Sequence, residues 1–247
     1  MAGHSKWANI KRRKAAQDQK KGRIFSKLSK AITVAAKNGG DPDANLTLKY
    51  AIDKAKQANM PAANIDQAIK KGTGEIEGVV YTELLYEGRG PGGVAIMLEC
   101  LSDNRNRTTP EVKKLLEHRG GSLGAQGSAA FMFTHRGIVV IKAAGATEDQ
   151  VMEAAMEAGA DDYEQDEDDV WVVKTDPKEL HAVRDALAEK GWEIDSAELQ
   201  WEPNSTVDPE PKDREKIETL LESLEDYDDT QNVFSNLEPK DDEGEGD

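Results

Sequence analysis

Apolar residues recur at steps of three and four from Ile24 through Phe25, Leu28 and Ile32 to Ala35, which predicts a helix with one apolar face. Asn38-Gly39-Gly40 ends it, because Asn and Gly tolerate the left-handed conformation of a helix C-cap. Asp41 followed by Pro42 predicts the cap and first position of a second helix, with Leu48, Ala51, Ile52 and Ala55 as its stripe. Pro61 opens a third, with Ile65, Ala68 and Ile69 turned inward and Gly72 at its close. Three short helices joined by small loops predict a bundle of about 70 residues.

The period changes at Glu75. Residues 79–87 and 94–101 alternate or run apolar, as strands do, and Gly88-Arg89-Gly90-Pro91-Gly92-Gly93 lies between them. Residues 109–119 predict a helix opened by Thr109-Pro110-Glu111, and residues 129–133 a further strand. From 136 to 203 the order is strand 137–142, helix 147–158, strands 161–165 and 170–174, helix 176–190 and strand 193–201. That βαββαβ order is the split, ferredoxin-like arrangement, with Thr147 and Gln150 placed to form a capping box. A linker at 203–211 leads to a helix at 212–224 with Ile217, Leu220, Leu221 and Leu224 on one face. Residues 230–237 read as one more strand. The last eight residues, KDDEGEGD, carry nothing to bury and predict disorder.

Charge sharpens this outline at one end. The first 37 residues hold eleven Lys or Arg and one acid, a net of +10, whereas the whole chain is −16, so residues 38–247 carry −26. A basic end on an acidic body points to a polyanion partner for that end. Its order is informative too: Trp7 stands beside Lys6 and ahead of Lys11, Arg12, Arg13 and Lys14, with Lys20, Lys21 and Arg23 following. Phosphates take the cations, and an exposed base takes the flat ring. The segment lacks the apolar core of a secretory signal. No apolar run approaches the ~20 residues of a membrane span. The single cysteine, Cys100, rules out an intramolecular disulfide framework and fits a cytoplasmic setting.

Catalytic chemistry finds little support. His4, His118, His135 and His181 are scattered without an evident Ser or Cys partner, and Cys100 ends an apolar strand as a core residue does. Residues 161–169 are acidic but lack the central Gly of a calcium loop, and no zinc spacing occurs, so neither metal nor cofactor is expected. The glycines of GRGPGG join two strands, whereas a dinucleotide loop must lead from a strand into a helix. Two readings stand for SDNRNRT at 102–108: a polar loop whose Asp and Asn cap local backbone, or a phosphate contact through Arg105 and Arg107. The glycine-rich stretch from His118 to Ser128 has backbone free to approach another chain closely, or is simply a flexible connection.

Four long stretches, in order along the chain, resemble the YebC family: MAGHSKWANIKRRKAAQDQKKGRIFSKL, YEGRGPGGVAIMLECLSDNRNRT, GGSLGAQGSAAFMF and LESLEDYDDTQNVFSNLE. The sequence departs from the family in Arg89, where an aromatic is common, and in an acidic extension after Leu237. The resemblance implies an α+β fold: an N-terminal three-helix bundle plus two α/β domains, the ferredoxin-like one inserted into the other. The expected boundaries are 1–75 for arm and bundle, 76–134 with 204–238 for the middle domain, 135–203 for the ferredoxin-like domain, and 239–247 for the tail. Family members are named as transcriptional regulators or, as in mitochondrial relatives, resemble translational activators of the ribosome, and no enzymatic activity is implied. The expected function is thus a translation factor that binds ribosomal RNA, with tRNA a further partner. It aids peptide-bond formation on proline-rich sequences by positioning alone, with no small-molecule substrate and no membrane contact. A regulator binding duplex DNA is the alternative. The residues expected to meet nucleic acid are Lys6, Trp7, Lys11, Arg12, Arg13, Lys14, Lys20, Lys21, Arg23, Arg105 and Arg107. Arg89, Gly90, Gly92, Gly93, Gly124 and Gly127 are the loop candidates.

Overall fold

The computed structural model describes residues 21–167 and 169–239. Lys6, Trp7, Lys11, Arg12, Arg13, Lys14 and Lys20 lie outside the described residues, as do residues 240–247 of the acidic tail. The described residues form seven α-helices and two four-stranded sheets, an α+β fold. They divide into two compact units, residues 21–131 with 207–237, and residues 132–206 with 238–239.

In the first unit, α1 (Lys21–Ala35), α2 (Leu46–Gln57) and α3 (Ala62–Thr73) enclose a core of their own. Leu28, Ile32, Leu48, Ile52, Ile65 and Ala68 are buried there, the positions that the three-and-four periodicity marks. Gly72 is the point of closest approach. A Cβ on it would lie 2.4 Å from the Thr33 carbonyl oxygen and 2.6 Å from the Ala36 Cβ, so α1 and α3 meet only because hydrogen stands there. The cap of α2 is Asn45, whose side chain accepts from the Leu48 N–H; Asp41 instead closes a turn by accepting from the Asp43 N–H. The expected Asp41-Pro42 start is therefore four residues early: the Asx turn at Asp41 competes with the helix for the same backbone groups.

The rest of this unit is an antiparallel sheet in the order β3-β1-β2-β8, formed by β1 (Thr82–Arg89), β2 (Ala95–Ser102), β3 (Ser122–Leu123) and β8 (Thr230–Ser235). Two helices cover one face: α4 (Arg105–His118) with Val112 and Leu116, and α7 (Pro211–Glu225) with Ile217, Leu220, Leu221 and Leu224. The last helix and strand of the chain thus complete a sheet that the first half begins. The start of α4 corrects the expectation from Thr109-Pro110-Glu111. Asn104 caps the helix by accepting from the Arg107 N–H, and Pro110 lies inside it. Most of SDNRNRT is therefore helix rather than loop. Residues 130–132 form a 3-10 turn rather than a strand.

The second unit contains β4 (Phe133–Lys142), α5 (Glu148–Glu157), β5 (Asp162–Glu167), β6 (Val170–Thr175), α6 (Leu180–Glu189) and β7 (Glu193–Pro203). Its sheet order is β5-β6-β4-β7 with every neighbour antiparallel, the ferredoxin-like topology, and the two stretches of the first unit flank it in sequence. The capping box forms as spaced: Thr147 accepts from the Gln150 N–H, and the Gln150 side chain accepts from the Thr147 N–H. α5 and α6 pack on Val139, Ile141, Trp171 and Val173.

Candidate nucleic-acid interface

Helix α1 and the turn that follows it bring four of the eleven N-terminal cations into the first unit, and each has a partner there. Lys27 donates to the Glu225 carbonyl, Lys37 to the Tyr81 carbonyl, and Lys30 to both the Asp228 carbonyl (3.0 Å) and the Asp229 carboxylate (2.7 Å). Arg23 lies 3.7 Å from Asp226, an exposed pair of small energetic value. Burial pushes the Lys27 ammonium below its ordinary value against the pull of Glu225 and Asp226. These bonds hold the bundle on the sheet that follows it.

Asp229 is the centre of that network. It is buried and accepts from Lys30, from the Arg107 guanidinium at 2.7 Å, from the Thr108 hydroxyl at 2.8 Å and from the Tyr227 hydroxyl at 3.2 Å. Burial alone would raise its carboxyl, but the bonds from Lys30, Arg107 and Thr108 win and hold it down to about 2. Arg107 also pairs with Asp103 at 3.0 Å, so the half-exposed guanidinium is shared between two carboxylates. Arg105, two residues earlier in the first turn of α4, is exposed. The two arginines of SDNRNRT are therefore not equivalent: Arg107 is a structural cation, and Arg105 points to solvent. No spacing rule joins Lys30, Arg107 and Asp229, which are 77 and 122 residues apart.

The two glycine-rich segments meet at one end of the first sheet. Gly121 faces the Arg89 carbonyl so closely that a Cβ would lie 2.7 Å from it, and a Cβ on Gly120 would touch Pro91. Gly90 is buried, with the place of its missing Cβ 2.3 Å from Ile217, and the same position on Gly92 is 2.3 Å from Pro209. Gly93 and Gly127 have open space around them but φ of 79° and 85°, where glycine alone is unstrained. The loop from Gly124 to Ala130 is tied to β1 by Glu87. That buried carboxylate accepts from the N–H groups of Gly127 (2.6 Å), Ala129 (2.6 Å) and Ala130 (2.8 Å), while the Gly124 N–H reaches the Glu87 carbonyl at 2.8 Å. Burial would raise the Glu87 carboxyl, yet the three amide donors bring it below its ordinary value. The loop is thus anchored and not a loose connection, and it presents exposed residues 124–128 beside exposed Arg89 and Arg119.

Cys100 lies in the core of this sheet, its thiol pushed up to about 12 by burial, which leaves it protonated and unreactive at neutral pH. Among the described residues no group of three or more His, Cys, Asp or Glu could hold a metal ion. No helix among them is long and apolar enough to cross a membrane.

What fold and surface define is a multi-part α+β protein: a helical bundle locked on a split sheet domain, a ferredoxin-like insertion, and a strongly basic N-terminal end. Similarity to known proteins places it further. The chain matches the N-terminal domain of the TACO1/YebC protein over residues 5–75 and the TACO1/YebC second and third domain over residues 81–237, and it belongs to that family. It is 51% identical to a "Probable transcriptional regulatory protein" of Syntrophotalea carbinolica over 246 residues, which is 98% of each chain. A protein of the same name from Persephonella marina is 49% identical over 96% of each. The crystal structure of a conserved hypothetical protein, Aq1575, from Aquifex aeolicus superposes with a TM-score of 0.81 at 41% identity, covering 91% of this chain and 93% of that one.

Proposed function

We propose that this protein is an RNA-binding factor that works on the ribosome and aids peptide-bond formation on difficult, proline-rich sequences by positioning, without chemistry of its own. One observation carries the reading: a net charge of +10 in the first 37 residues on a body of −26. Lys27, Lys30 and Lys37 are already engaged within the molecule, so polyanion contact falls to Lys6, Lys11, Arg12, Arg13, Lys14, Lys20, Lys21 and exposed Arg23, with Trp7 among them as a stacking ring. The acidic body disfavours indiscriminate binding along a nucleic acid. The anchored loop at 124–130 and its neighbour at 89–93 are rigid, small-residue surfaces suited to approaching a tRNA backbone. A factor built that way lowers a barrier by holding reactants in a productive geometry.

The test is translation in a reconstituted system of a message encoding consecutive prolines. Added protein should relieve the pause at those codons and leave a proline-free control unchanged; equal pausing with and without it would refute the reading.

A second reading has its own support. The relatives are named as transcriptional regulators, and α3 exposes Asn64, Gln67 and Lys70 on a helix that follows α2 after a short turn. Asn and Gln read adenine edges in a major groove, so binding of duplex DNA with sequence dependence is the alternative outcome.

A further inference from the structure

The two faces of the ferredoxin-like sheet are covered differently. α5 and α6 account for one. Alternation turns Ile138, Val140 and Val172 to the other face, where they are only 4%, 0% and 5% exposed. Val170 is the one partly buried hydrophobic packed with them, and no helix residue among the described ones joins the cluster. Lys174, on the same face, is also buried, its ammonium bonded to Glu164 at 2.9 Å and Glu202 at 2.7 Å. Glu202 also forms an ion pair with Arg136, 3.0 Å between the charged atoms. The register places Glu198 opposite Ile138, Glu164 opposite Val172 and Asp162 opposite Lys174. The result is an apolar strip with carboxylates on both sides; Lys174 and Arg136 pair with Glu164 and Glu202, and Lys142, next along β4 on the same face, pairs with Glu193 and Asp195.

A sheet face left to solvent keeps its apolar positions wet, and these are dry. Two ends of the chain lie outside the described residues. Residues 240–247 hold five acids, one lysine and no apolar side chain, so they can neither cover the strip nor sit beside its carboxylates. Residues 1–20 hold six Lys or Arg, one acid, and Met1, Trp7 and Ile10 as their large apolar side chains. Fully extended, twenty residues reach about 66–72 Å, several times the width of four strands at ~4.8 Å spacing. The strip lacks the aromatic side chains on which RNA-binding sheets stack bases, and its acidic rim repels phosphate.

We propose that this face is a docking surface for the chain's own residues 1–20, with Trp7 and Ile10 against Ile138, Val140 and Val172 and the arm's cations on the rim carboxylates. The arm then has an internal partner of polyanion character, and an external polyanion must displace it. Weak or diffuse phosphate surfaces fail to do so, which raises the threshold for binding. The inference goes beyond the RNA reading and stands without it, because the test contains no nucleic acid.

Full-length protein at low salt is treated with a carbodiimide, which joins a lysine amine to a touching carboxylate as an amide with loss of water, and the monomer fraction is mapped by mass spectrometry. Links from Lys6, Lys11 or Lys14 to Glu164, Glu198 or Glu202 are expected. In the full-length Lys11→Glu, Arg12→Glu, Arg13→Glu variant, the Ile138 and Val140 methyl groups should show several-fold stronger relaxation by a soluble gadolinium chelate, with the far-ultraviolet circular dichroism unchanged. Arm links confined to residues 240–247, arm links found only in a cross-linked dimer, or methyl groups equally shielded in the charge-reversed variant would each overturn the proposal.

Discussion

Replacing Asp229 by Ala removes the carboxylate that Lys30, Arg107 and Thr108 all address, and leaves the largely buried Lys30 ammonium without its counter-charge. Breaking one side of a buried charge network costs about 3–5 kcal/mol. Because Arg107 is half-exposed, the lower end applies, and urea denaturation should show a loss of about 3 kcal/mol. The pH dependence has a definite sign. The Asp229 carboxyl is held below its ordinary value, so its contribution is present above pH 3.8 and is lost as pH falls toward about 2. The Asp229→Ala protein should therefore have a flatter acid limb of stability over that window. An acid limb identical to that of the parent would show that Asp229 titrates normally.

At the scale of elements, Gly72 and Glu87 make separate predictions. Gly72→Ala sets a methyl group 2.4 Å from the Thr33 carbonyl, and α1 and α3 must part to admit it. Overpacking of this kind costs about 1–3 kcal/mol, measurable by thermal unfolding, whereas alanine at Gly22, with no atom within 4 Å, should cost nothing through crowding. Glu87→Ala should leave the sheet formed but free the amides of Gly127, Ala129 and Ala130, whose hydrogen exchange would rise to loop rates; unchanged protection there would mean the loop is held by something else. The helices of the bundle, the βαββαβ order and the capping box at Thr147 are all legible in the sequence, since each rests on period or on bonds within a few residues. The start of α4 is not, because Pro110 looks like a first-turn residue and Asn104 gives no signal stronger than Thr109. The Lys30–Asp229–Arg107 network and the Glu87 clamp are illegible for a different reason. They join residues 40 to 199 positions apart, and only the closed sheet brings them together. The sequence does mark the glycines of GRGPGG and GGSLGAQGS. Their reasons differ from site to site: close packing against Ile217 at Gly90, positive φ at Gly93 and Gly127, and both at Gly92, which faces Pro209.

At the scale of the whole molecule, charge is segregated between a basic N-terminal end and an acidic body. Lys27, Lys30 and Lys37 bond within the first unit, so the proposed nucleic-acid contact rests on the cations of the first 23 residues and on exposed Arg105. Replacing Arg12, Arg13 and Lys14 together by Ala should then weaken RNA binding and flatten its dependence on salt, by about 0.7–0.9 log units of slope for each phosphate that the arm no longer neutralises. An unaltered slope would remove the arm from binding. Ribosome binding is decided by competition at about 150 mM salt, where weak surface attraction is screened beyond ~8 Å. Labelled protein is offered ribosomes together with an excess of duplex DNA. A ribosome-bound factor sediments with ribosomes, and DNA does not displace it. Release of the protein by DNA, to a degree that varies with the duplex sequence, would contradict it and make a duplex-DNA regulator the correct description.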